Sequence, residues 1–206
     1  QALALTTTAI SALLTSQVAA LSTTALNALD TTQTQALAAT QVAALTTTQI
    51  GALDALDVAD FTTTQISALT GTQIKSLSTT NLNALDTTQQ KALTATQVSA
   101  LTTTQIKSLD SADIADFTTT QIKALTATQI GALDTEDLNA LVGTQVEVLS
   151  AVQLKGLTTT QIGALETTDL LELTSTQLGS LNSTQFKSLS TTALVELTST
   201  QASGLT

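Results

Sequence analysis

Large apolar side chains recur every eighth residue with no slip. Leu stands at 5, 13, 21 and every eighth position to 205, with Phe61 and Phe117 as the only exceptions. Lettering the octad a to h, with this Leu at h, residues 6–205 make 25 octads without insertion or deletion. A second apolar position, e, holds Ile, Val, Leu or Phe186 in nearly every octad. The remaining positions are mostly polar or small, so the typical octad reads polar-small-Thr-polar-apolar-variable-small-Leu.

The spacing of e and h selects the element. Strands alternate faces with a period of two. Residues three apart share one face of a helix. The polar half agrees: position a is Ser, Thr, Asp or Asn in 21 of 25 octads, and d is Gln in 17 and Asp in four. Ser, Thr or Asp followed three residues later by Gln or Asp predicts a capping box, and Leu at h before the cap with an apolar e predicts a hydrophobic staple. Each octad therefore predicts a new helix running from b to g or h. Thr is confined to the first turn, where its hydroxyl serves the cap. The corner at h and a needs neither Pro nor Gly, because the cap residue itself leaves helical φ/ψ.

A helix this short is far below the roughly 12–15 residues needed for independent stability, so neighbours must hold it. The expected fold is all-α: a solenoid of short capped helices, one per octad, around a continuous Leu/Ile core. A Thr-rich β-solenoid is the alternative. One continuous helix fits less well, because its apolar stripe would drift about 80° per octad at 3.6 residues per turn.

A longer period overlies the octad. Residues 25–80 and 81–136 align without gaps at 40 of 56 identical positions, and a diverged third copy spans 137–192. Fifty-six residues are seven octads, the length expected if two superhelical turns took three and a half octads each. The domain reading is one continuous octapeptide array over residues 1–206. It starts inside one repeat and ends on the first residue of another, as a slice of a longer protein would.

Composition narrows the function. There is no Cys, His, Met, Trp, Tyr or Pro, and the net charge is −10. Nucleic acid is not an expected partner, because phosphate contacts need Lys and Arg. No stretch approaches the roughly 20 apolar residues that span a bilayer, so no membrane insertion by this segment is expected. Without His or Cys, Ser-His and Cys-His nucleophile pairs cannot form. Zinc sites of the usual nitrogen and sulfur type are excluded too. No enzymatic role and no cofactor are expected, Ca²⁺ apart.

The Ca²⁺ candidates are three acidic trios in register with the longer period. Asp54, Asp57 and Asp60 fall at a, d and g; Asp110, Asp113 and Asp116 repeat them, and Glu166, Asp169 and Glu172 repeat them again. Acids at a and d suit the positive end of their own helix, whereas an acid at g lies at the wrong end. A solvated acidic face is the alternative, since the alternating ligands and turn Gly of a calcium loop are absent.

Runs such as TATQVSALTTTQIKSL (94–109) and TTTQIKALTATQIGAL (118–133) resemble the octapeptide arrays of very large bacterial surface proteins labelled haem-utilisation or adhesion proteins. The resemblance implies an extracellular, bacterial-surface, repetitive structural segment. It does not extend to haem, since His, Met, Cys and Tyr are all missing. The functional expectation is a structural section of a fibre, stalk or adhesin, associating with itself or with neighbouring repeats. The alternatives are a self-assembling surface filament subunit, and an ice- or glycan-binding module using its Thr rows.

Overall fold

The computed structural model describes residues 5–205. It contains 25 α-helices of four to six residues, from α1 (Thr7–Ser11) to α25 (Ser199–Ala202), followed by a 3₁₀ turn at Ser203–Leu205. Every helix begins at position b, one per octad. No strand occurs among the described residues, so the β alternative and the continuous helix both fall. The fold is an α-solenoid of short repeats.

Local chemistry explains each restart. In α6 (Thr47–Gly51), Thr46 caps at φ −75° and ψ 157°, in the extended region. Its Oγ1 accepts from the Gln49 amide at 3.1 Å, and Gln49 Oε1 accepts from the Thr46 amide at 2.7 Å. This reciprocal box recurs through the array. Where a is Leu14, Ala38 or Val142, only the glutamine half survives. The far end tightens to a 3₁₀ step, as when the Leu69 amide donates to the Ile66 carbonyl at 3.2 Å. Such steps are common at helix ends. In the six-residue helices the Leu at h is already extended, as at Leu69 with φ −60° and ψ 138°. The helices thus stop at g or earlier, short of the outer limit read from sequence. Among the described residues no φ is positive, so the corner is turned by two extended residues and makes no demand for Gly.

The chain forms two compact units, Gln1–Ser108 and Leu109–Thr206. Within each, a helix packs on the one three octads away. In the first unit α6 packs on α9 (Gly71–Ser76), and α9 on α12 (Ala95–Ala100). In the second, α16 (Ala127–Ile130) packs on α19 (Ala151–Gly156), and α18 (Gly143–Glu147) on α21 (Thr167–Glu172). Cross-turn hydrogen bonds fix the register at 28 and 31 residues. Twenty-eight residues are three and a half octads, so each helix sits over the joint between two octads of the turn before. The core is the e and h rows: Ile50, Ile66, Ile106 and Ile122 are fully buried, with Leu69, Leu101 and Leu125 nearly so.

Candidate functional site

The row that organises the interior is d. Read from sequence, its Gln completes a local capping box. In the structure it does that and more, because the side chain is buried between two turns. Gln105 is 3% exposed. Its Oε1 accepts from the Thr102 amide at 2.9 Å, while Nε2 donates to the Ile74 carbonyl at 2.8 Å and to the Leu77 carbonyl at 2.9 Å. Gln161 does the same in the second unit, from the Thr158 amide to the carbonyls of Ile130 and Leu133. One primary amide thus caps its own helix and satisfies two carbonyls of the preceding turn, using both N–H donors. A buried amide so satisfied avoids the roughly 1–3 kcal/mol lost per unpaired group. We call this arrangement the glutamine clasp.

A second clasp lies at f, a position the sequence left undefined. Asn27, Asn83 and Asn139 donate through Nδ2 to the carbonyls of Ala52, Ser108 and Ala164, each 25 residues ahead. The three donors are themselves 56 residues apart. The available signal was their recurrence at one place in the longer period. The acceptor, in another turn, was not visible.

The acidic trios resolve into three jobs. Asp54 and Asp110 cap their helices, accepting from the amides of Asp57 and Asp113 at 2.9 Å each. Asp57, Asp113 and Asp169 return a carboxylate oxygen to the amides of Asp54, Asp110 and Glu166. Glu166 makes no side-chain cap bond. At g, Asp60 is the C-cap of its helix, and Asp116 and Glu172 are the last helical residues of theirs. The a and g members of each trio thus stand at opposite ends of one helix. Among the described residues no group of three or more acidic side chains converges to hold a metal ion.

The acids at d differ in setting from those at a. Asp57 and Asp169 are each 8% exposed and Asp137 is 4% exposed. Burial raises all three carboxyls above the ordinary 3.8, the amide bond at the cap opposes this, and neighbouring carboxylates add to the rise. Those neighbours are Asp54 and Asp60 for Asp57, Glu166 and Glu172 for Asp169, and Asp134, Glu136 and Asp110 for Asp137. Two small apolar voids of about 10 Å³ adjoin these positions. One is bordered by Asp57, Leu29, Thr34 and Phe61, and the other by Asp169, Leu141, Leu165 and Leu173.

The outer surface is formed by a, b, c and f. Thr103, Thr104, Thr119 and Thr120 are exposed, as are Lys75, Lys107, Lys123 and Lys155. No described helix is long and apolar enough to cross a membrane.

The sequence profile described as the ALTTAQ repeat matches residues 106–142, 130–167 and 162–199. The matches cover somewhat less than half of the chain, and each starts at position e of an octad. The chain is therefore similar to this repeat family over that span, in the octad register. No curated protein is matched by the sequence.

Proposed function

We propose that this chain is a spacer: a structural section of an extracellular bacterial fibre, stalk or adhesin, with no catalytic role. Its molecular job is to add length by adding octads. The observation that carries this reading is the clasp register. Gln at d works on its own cap and on the turn before it, as at Gln49, Gln65, Gln105 and Gln161, so an added octad brings its own cap, its own core pair and its own link to the previous turn. Nearest-neighbour stacking of this kind has no intrinsic end point. The absence of varied loops in the octad grid supports the same reading, since binding and catalytic residues are found disproportionately on loops. The resemblance to bacterial surface arrays supports the extracellular location and partners of the same repeat type.

The test is length against repeat number. Chains carrying one and two copies of residues 25–192 are compared by small-angle scattering and negative-stain microscopy. Spacing proportional to octad number is the expected result, and a size independent of added octads overturns it.

The exposed Thr rows favour one second reading, an ice- or glycan-binding face. A thermal-hysteresis assay and a glycan array separate it from the spacer: a signal lost on replacing Thr103, Thr104, Thr119 and Thr120 with Ala would favour binding.

A further inference from the structure

We propose that Asp57 and Asp169 are proton-operated clasps, in which the neutral carboxyl donates its O–H to the carbonyl of Leu29 or Leu141 and closes a link between turns that the carboxylate leaves open. The argument starts from the register. A d residue faces the h carbonyl 28 positions earlier, as Gln65 faces Leu37 and Gln177 faces Leu149. For Asp57 and Asp169 those carbonyls belong to Leu29 and Leu141. A carboxylate has no hydrogen to give them.

Reach is demonstrated within the same molecule. Asn81, with a side chain the length of aspartate, occupies d and donates Nδ2 to the Leu53 carbonyl at 2.8 Å, 28 residues earlier, in a helix whose cap lacks the reciprocal bond from d. A protonated Asp presents a donor at the same distance from the backbone. The geometry also assigns the oxygens. Oδ2 of Asp57 is taken by the Asp54 amide at 3.1 Å and Oδ2 of Asp169 by the Glu166 amide at 3.3 Å, which leaves Oδ1 to carry the proton. The void beside each residue, bordered by Leu29 in one case and Leu141 in the other, gives that oxygen room to turn toward its acceptor.

The charges around each site favour the neutral form. Asp57 has Asp54 and Asp60 on its own helix. Of the elements around it, α3 (Thr23–Leu26), α5 (Ala39–Ala43), α6 and α10 (Thr79–Leu82) carry no charged residue, α4 (Thr31–Gln35) has Asp30 as its cap, and α11 (Thr87–Ala92), whose Gln89 donates to the Ala59 and Phe61 carbonyls, has Asp86 as its cap and the exposed Lys91 in its last turn. Asp169 has Glu166 and Glu172 on its own helix. Around it lie Glu136 and Asp137 on α17 (Thr135–Asn139), Glu147 on α18, Glu196 on α24 (Thr191–Glu196), and Lys155 on α19, which is exposed. Burial raises both carboxyls above 3.8. A raised folded-state value means that the folded chain binds the proton more tightly than the unfolded chain. These two residues therefore add stability as pH falls from neutral toward 3.8, and that contribution is lost as pH rises through the raised value.

The experiment compares the chain with two double variants, Asp57→Asn with Asp169→Asn and Asp57→Gln with Asp169→Gln, by thermal melting at pH 7.5 and pH 5.0. Both replacements occur naturally at d, so both are compatible with the fold. The expected result is a higher Tm for the Asn variant at pH 7.5 and a gap to the parent that is smaller at pH 5.0. The Gln variant should keep some advantage at both, because it also fills the void. Carbon-13 titration of the two carboxyls should give midpoints above 3.8. An Asn gap equal at both pH values, or midpoints at or below 3.8, overturns the proposal.

Discussion

Glu172 lays its carboxylate against Gly143, the first residue of α18, 29 positions earlier in the chain. A Cβ on Gly143 would stand 2.5 Å from Glu172 Oε1. Glu172 is the last residue of its own helix, the unfavourable end for an acid, yet it lies at the favourable end of another. Negative charge near a helix N-terminus contributes about 0.3–1 kcal/mol. The mismatch visible in sequence at g is thus answered by the preceding turn, and Gly143 leaves the space.

Two glycines of similar appearance should respond differently to alanine. At Gly143 the new methyl meets the far end of a flexible glutamate, and the helix gains up to about 1 kcal/mol from replacing Gly by Ala. At Gly156 the Cβ would collide with the backbone carbonyl of Ala127 in α16, which cannot swing away. Chemical denaturation should place Gly143→Ala within about 0.5 kcal/mol of the parent, the range of most surface changes. Gly156→Ala should lose about 1–3 kcal/mol, the usual cost of overpacking. Equal losses would mean that α16 and α19 are not in close backbone contact.

Removing one clasp should be costly although the residue is polar and the position repeats throughout the array. Gln105→Ala leaves the Thr102 amide and the Ile74 and Leu77 carbonyls without this partner. Each buried orphan costs about 1–3 kcal/mol, so a loss of at least about 2 kcal/mol is expected in urea titration. Thr104→Ala, one residue away and exposed, should stay within about 0.5 kcal/mol. Similar values for the two would show that Gln105 serves only as a local cap.

The core rows should separate from the surface row. Leu101 at h is 4% exposed, and Lys107 at f is exposed. Leu101→Ala is expected to cost about 2–5 kcal/mol, as buried Leu truncations do. Lys107→Ala should cost no more than about 0.5 kcal/mol. The same denaturation experiment checks both, and equal effects would refute the burial assignment.

Deleting one octad tests the register itself. Without residues 46–53 every later d residue still finds an h carbonyl 28 positions back, so the helical circular dichroism signal per residue should persist. The specific partnerships that span the cut should break. Asn27 loses Ala52 with the deleted octad and faces the Asp60 carbonyl in its place, and Thr34 is separated from Phe61, which borders the same void. A folded but less stable chain is the expected outcome, read by melting temperature. Loss of the helical signal would mean that the octads are not interchangeable.

Sequence alone determined the helices. Their starting points are written in the a and d residues and their burial in e and h, while the Leu that precedes each new cap sets only an outer limit to each helix, since TTTQIKSL at 102–109 ends its helix at Ile106 and TTTQIKAL at 118–125 at Ala124. These interactions span at most four residues, so they can be read along one strand of text. The tertiary structure decided how the octads meet. The 28-residue offset was suggested by half of the longer period, but which atoms use it was not. The buried glutamines, the asparagine ladder at f, the glutamate above Gly143 and the pairing of small Thr34 with large Phe61 all join residues 25 to 31 positions apart. A low-complexity sequence offers several near-identical partners at neighbouring offsets for each of them. Only the packing of one turn on the next, set by how closely the small residues at f and g allow helices to approach, selects among those partners.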